Sequence, residues 1–152
     1  ELFLFQLIAS ELTWKEKGMK VVQTTAFPDE HGTTLDFSCD APVQLTLQVR
    51  YPYWAENGIE ILVNGKNERV KQAPGSFIPV TRKWKSGDRV EIKIPFTLRL
   101  EPMPDDSNRV AVMYGPLVMS GAGDEDGDDR ISGDPSGLVI SPCTRILLIP
   151  CR

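Results

Sequence analysis

Between Val43 and Tyr51 the chain reads VQLTLQVRY, with an apolar residue at every second position. In an extended backbone Val43, Leu45, Leu47 and Val49 point to one side, and Gln44, Thr46, Gln48 and Arg50 to the other. A strand with one buried and one wet face requires that alternation, and an α-helix would scatter the same residues around its axis. Thr33 to Cys39 repeats the pattern with Leu35, Phe37 and Cys39. Val90, Ile92 and Ile94 repeat it again against Glu91 and Lys93. No window carries a helical period, so the chain is constrained to all-β.

The remaining segments are read around these strands. Leu2–Ala9 is apolar apart from Gln6 and predicts a strand covered on both faces. Ser10–Trp14 continues extended to a charged turn at Lys15–Gly18. Met19–Thr25 is β-branched and strand-like, and Phe27–Gly32 is a loop. Ile59–Val63 runs into Asn64-Gly65, the pair suited to the two positive φ values of a type I′ hairpin turn, with a return strand near Glu68–Val70. Ser76–Val80 is a further short strand. In the stretch from Arg82 to Met119, Ser86–Asp88 is a turn, Leu98 and Leu100 alternate with Arg99 and Glu101, and Pro102–Asn108 is a polar loop. Arg109–Met119 is β-rich, with Gly115-Pro116 as a bulge or bend. Short strands at a spacing of roughly 8–12 residues predict an antiparallel β-sandwich, jelly-roll-like and a single domain. Its core is expected over 1–120, followed by an acidic Gly/Asp/Ser-rich loop over 121–137. Candidates to complete the sandwich lie in 138–152, at Leu138–Ile140 and Arg145–Ile149.

Composition narrows the function. The net charge is −4, and no basic run longer than a pair occurs in the 152 residues, which argues against a nucleic-acid partner. The apolar N-terminal run is too short to span a bilayer and has no basic flank, so neither a membrane span nor a signal peptide is expected. A chain that opens inside such a run reads as a piece of something larger. Three cysteines, Cys39, Cys143 and Cys151, cannot close a disulfide framework, and with His31 as the single histidine and no CxxC they offer no zinc cage. Buried free thiols are expected, with a Cys143–Cys151 bridge as the alternative.

An ordered set of short motifs then carries a resemblance. Pro52-Tyr-Trp-Ala55, Val63-Asn-Gly65, Arg82-Lys-Trp-Lys-Ser-Gly-Asp88, Leu98-Arg-Leu-Glu-Pro102, Asn108-Arg-Val-Ala111 and Tyr114-Gly-Pro-Leu117 follow one another, and Ser10–Trp14 precedes them. Over about residues 1 to 120 this resembles the C-terminal β-sandwich region of the β-L-arabinofuranosidase-like glycoside hydrolases, family 127, also known as DUF1680. The resemblance implies a parent enzyme whose (α/α)₆ barrel carries the chemistry, with a cysteine nucleophile on a zinc site. None of those positions falls in the matching region, so no catalytic residue and no cofactor is assigned to this chain. The implied partners are the parent's barrel and an L-arabinofuranoside-type carbohydrate.

Three groups of residues are candidate sites. Trp14, Tyr53, Trp54 and Trp84, with Tyr51 beside them, are aromatic enough to stack on sugar rings, though large aromatics more often build cores and interfaces. Asp124, Asp126 and Asp128 stand at positions 1, 3 and 5 of a calcium-loop pattern, but position 6 is Asp129 and position 12 is Pro135, which favours a solvated acidic loop. Glu101 with Asp105 or Asp106 is the nearest pairing of acids for glycosidase chemistry, and it sits in an ordinary polar loop. His31 reads as a surface residue. The expected function is a non-catalytic sandwich domain supporting a barrel absent from this chain, itself not an enzyme. The alternatives are an independent carbohydrate-binding module and a calcium-stabilised interaction module.

Overall fold

The computed structural model describes residues 1–105 and 109–120, together with the strand Leu147–Ile149. The chain divides into two compact units, with the boundary between Thr97 and Leu98. No α-helix occurs among the described residues.

The first unit holds nine strands: β1 (Leu2–Leu4), β2 (Ser10–Trp14), β3 (Met19–Thr24), β4 (Gly32–Cys39), β5 (Val43–Tyr51), β6 (Glu60–Val63), β7 (Lys66–Asn67), β8 (Ser76–Trp84) and β9 (Arg89–Lys93). They form a three-stranded sheet in the order β1-β5-β8 and a six-stranded sheet in the order β2-β3-β4-β9-β6-β7. The period-2 residues named above fill the space between the two sheets. Leu45, Leu47, Val49, Ile78, Val80 and Trp84 come from one side, and Val21, Leu35, Phe37, Ile61, Val90 and Ile92 from the other. Burying such faces against each other is the main favourable term holding two sheets together. Phe37 and Trp84 span the interface, with ring centroids 4.2 Å apart and planes 11° from parallel. The Trp84 indole N–H donates to the Leu45 carbonyl at 3.0 Å, so the largest core side chain leaves no polar atom unmet.

Several elements differ from the sequence-based expectation. The N-terminal strand stops at Leu4, and it pairs parallel to β5, Leu2 opposite Leu47 and Leu4 opposite Val49. Its outward face is not covered: Phe3 and Phe5 are 45% and 57% exposed. An apolar run does not reveal whether its second face will be buried, because the covering surface comes from elsewhere in the fold. The Asn64-Gly65 turn forms as expected, with φ values of 52° and 76°. The return strand begins at once, at Lys66–Asn67, where the sequence suggests Glu68–Val70. β8 runs nine residues, through to Trp84, because it pairs with β5 along its whole length, from Ser76 opposite Tyr51 to Trp84 opposite Val43.

The second unit carries β10 (Leu98–Pro102), β11 (Val110–Tyr114), β12 (Leu117–Ser120) and β13 (Leu147–Ile149), hydrogen-bonded in that order. Gly115-Pro116 is the tight turn between β11 and β12 instead of a bulge within one strand, with Gly115 at φ 57°. Arg99 braces it by donating to the Gly115 carbonyl, and pairs with Glu101 at 2.9 Å. The strand candidate over Leu138–Ile140 lies outside the described residues.

Candidate functional site

The aromatic candidates separate by burial. Trp84 is 0% exposed and Tyr51 is buried; both are core residues, and the ring that Trp84 would offer to a sugar is covered by Phe37. Trp54 is half-buried on the core and meets Phe96 edge-on at 5.5 Å. Phe96 is also in contact with Phe27 and stacked with His31 at 4.0 Å, so His31 belongs to an aromatic cluster as well as to the surface. Tyr53, next to Trp54, is 57% exposed. Trp14 lies apart from that cluster, so the structure does not bring the four aromatics together on one platform.

Trp14 closes β2 and stands at an open groove of about 430 Å³. Three turns of the first unit build this groove: Lys15–Gly18 between β2 and β3, Asp40–Pro42 between β4 and β5, and Lys85–Asp88 between β8 and β9. Its walls carry Thr13, Trp14, Lys20, Ser38, Asp40 and Ser86, with Met19 and Cys39 beneath them. The first two turns are locked together. Gly18 takes the left-handed conformation at φ 53°, and its carbonyl accepts the Asp40 N–H at 2.8 Å. That φ favours glycine, and a Cβ there would also stand 2.7 Å from an Asp40 carboxylate oxygen, which would have to swing aside. The Trp14 indole N–H donates to Glu16 at 3.0 Å, and the Lys17 ammonium sits 5.4 Å from the ring centroid.

The third turn is held by Asp88, which is 1% exposed. Its carboxylate accepts from the Asn64 amide and from the Lys85 N–H, both at 2.9 Å, and faces Arg82 at 3.7 Å. Burial by itself pushes this carboxyl up, but the hydrogen bonds from Asn64 and Lys85 and the charges of Arg82 and Lys85 outweigh it and hold the acid below its ordinary value. Asp88 is therefore held in its charged form more firmly than an ordinary carboxylate, and it clips the β6–β7 and β8–β9 turns together. Cys39, a free thiol, is pushed up by burial and then by the carboxylates of Asp88 and Asp40. A thiol so placed is a poor nucleophile.

Among the acids read as a pairing, Glu101 is tied to Arg99 and Asp105 is exposed. Asp106 lies outside the described residues, as do the calcium candidates Asp124, Asp126 and Asp128 and the cysteines Cys143 and Cys151. Among the described residues no group of three or more His, Cys, Asp or Glu side chains is placed to hold a metal ion. Nor is any helix among them long and apolar enough to cross a membrane.

Sequence reasoning singled out Trp14 but not Asp40, Ser38 or Ser86. These polar residues carry no signal of their own, and they come to one groove only because strand pairing brings three separate turns to one end of the sandwich.

The comparisons with known proteins agree with the architecture. The family described as Beta-L-arabinofuranosidase, GH127 middle domain, matches residues 1–96. A solved structure described as a glycoside hydrolase superposes with a TM-score of 0.68 at 28% identity, covering 77% of this chain and 20% of its own. A GH127 beta-L-arabinofuranosidase from Geobacillus stearothermophilus T6 gives 0.67 at 24% identity, over 77% of this chain and 19% of its own. A further GH127 beta-arabinofuranosidase gives 0.66 at 23%, over 78% and 22%. The last two likenesses speak for the fold alone. The chain thus spans about a fifth of the length of these structures. No curated protein matches it.

Proposed function

Since the chain belongs to the Beta-L-arabinofuranosidase GH127 middle-domain family, we propose that it is a non-catalytic β-sandwich domain of a longer glycoside hydrolase resembling β-L-arabinofuranosidase. In this reading it lies C-terminal to an (α/α)₆ barrel that carries the chemistry outside the present 152 residues. The observation that carries the reading is the coincidence of two boundaries: the family match ends at residue 96, and the compact sandwich unit ends at Thr97. The matched segment thus coincides with one compact unit.

The surface supports a packing role. Phe3, Phe5 and Phe77 stand together on the outer face of the β1-β5-β8 sheet, with ring centroids 5.3–5.6 Å apart. Two exposed phenylalanine rings packed on a half-buried third form an apolar patch that suits burial against another part of a large chain. Two titratable side chains of the first unit serve no acid–base role: Asp88 is held in the turn clip, and Cys39 sits where the thiolate is disfavoured. The test is activity. The purified chain is expected to release no p-nitrophenol from p-nitrophenyl L-arabinofuranosides. Turnover that scales with chain concentration and survives re-purification would sink the reading.

A further inference from the structure

We propose that the groove between Trp14, Asp40 and Ser86 is a saccharide-binding site on this domain, separate from any catalytic centre of a longer enzyme. The proposal goes beyond the supporting role and does not depend on it, although the sugar class is taken from membership of the GH127 family.

A sugar ring presents two kinds of surface, a patch of positively polarised C–H groups and a fringe of adjacent hydroxyls. The groove answers both. Trp14 supplies the aromatic face. The Lys17 ammonium already stands 5.4 Å from the ring centroid, which shows that a positively polarised group can approach this indole from solvent. Lys17 itself is exposed and can swing away. The hydroxyls are answered by Asp40, whose side chain is exposed and makes no hydrogen bond or ion pair among the described residues. A carboxylate is the strongest acceptor for a pair of neighbouring hydroxyls. Ser86 lines the same groove, and its hydroxyl can both donate and accept.

The framework is preorganised. Gly18 and Asp40 are held by a 2.8 Å backbone bond, and the Ser86 turn is fixed by the Asp88 clip, with the Gly87 N–H donating to the Phe37 carbonyl at 2.9 Å. A ligand therefore meets three turns that need little ordering on binding. The volume of about 430 Å³ falls within the roughly 300–1,000 Å³ of small-molecule sites, which suits one or two sugar units. Mixed polarity and an open mouth point to weak, exchangeable binding, as suits a domain that holds a glycan near a reaction performed elsewhere.

The deciding experiment is an NMR titration of the ¹⁵N-labelled chain with methyl β-L-arabinofuranoside. Shifts are expected at the Trp14 indole N–H and at the Gly18, Asp40 and Ser86 amides, saturating with a Kd of about 1–10 mM. Asp40→Ala, at an exposed turn, is expected to weaken binding at least tenfold with the rest of the spectrum unchanged. Trp14→Ala reads stability as well as binding, since Trp14 also packs on the core, so Asp40→Ala carries the decision. No shifts at the groove by about 50 mM glycoside, shifts confined to Tyr53 and Trp54, or unaltered affinity in Asp40→Ala would each overturn the site. None of these outcomes bears on the supporting role, which the turnover assay tests by itself.

Discussion

Asp88 shows how much one side chain can organise. It lies in a turn that reads from sequence as an ordinary Ser-Gly-Asp, yet its carboxylate is buried and joined to Asn64, Lys85 and Arg82. Replacing it by alanine leaves the Asn64 amide and the Lys85 N–H without their acceptor, at a cost of about 1–3 kcal/mol. This is expected as a lower urea midpoint at unchanged slope. The pH dependence has a definite sign. The folded pKa lies below the ordinary value, so the stabilisation is fully present above the unfolded pKa and is lost as pH falls through the folded one. The gap between the native chain and Asp88→Ala should therefore narrow under acid, and a gap that widened would refute the clip. Trp84 makes the complementary case. It is 0% exposed and stacked on Phe37, and Trp84→Ala is expected to remove about 3–5 kcal/mol, enough to threaten a typical fold. A loss below about 1 kcal/mol would mean that Trp84 is not the wedge between the sheets.

At the scale of elements, the outer face of β1-β5-β8 differs from the inner one in what it contributes. Phe3, Phe5 and Phe77 touch one another, and Phe3 and Phe5 are also open to solvent. Phe5→Ser is thus expected to shift stability by no more than about 0.5 kcal/mol while raising the solubility of the isolated chain. Thermal unfolding and the saturation concentration measure the two effects. A stability loss above about 2 kcal/mol would place the trio in the core and remove it as a docking surface. Elements were also the level at which the sequence was most legible. β4, β5 and β9 stand out because their residues alternate with the period of the pleat, and the Asn64-Gly65 hairpin because few residue pairs tolerate two positive φ values. The parallel pairing of β1 with β5 leaves no such trace. It joins residues about 45 positions apart in the chain, and nothing local to Leu2–Leu4 encodes a partner that distant.

For the molecule as a whole, the boundary after Thr97 makes a direct prediction. Both sheets of the sandwich, the core residues between them and the turns of the Trp14 groove lie within residues 1–97. A chain ending at Thr97 is expected to give a dispersed NMR spectrum and a single cooperative unfolding transition. A collapsed spectrum would show that the sandwich depends on residues beyond it. Strands of the same pattern continue beyond this boundary through Leu98–Met119, and periodicity marks strands without saying which body they join.

What the sequence determined by itself was the kind of layer this chain can build. Alternating apolar residues can be buried only as strands with one face turned inward, so the all-β class and much of the core follow from local order. Tertiary structure decided which strands become neighbours, which apolar residues stay exposed, and which polar ones meet. Phe3 and Phe77 are 74 positions apart in the chain and touch because β5 lies between their strands. Trp14, Asp40 and Ser86 share a groove because three turns return to the same end of the sandwich. Those contacts depend on chain closure over long separations, where the ordering cost is met only when both sheets are in place.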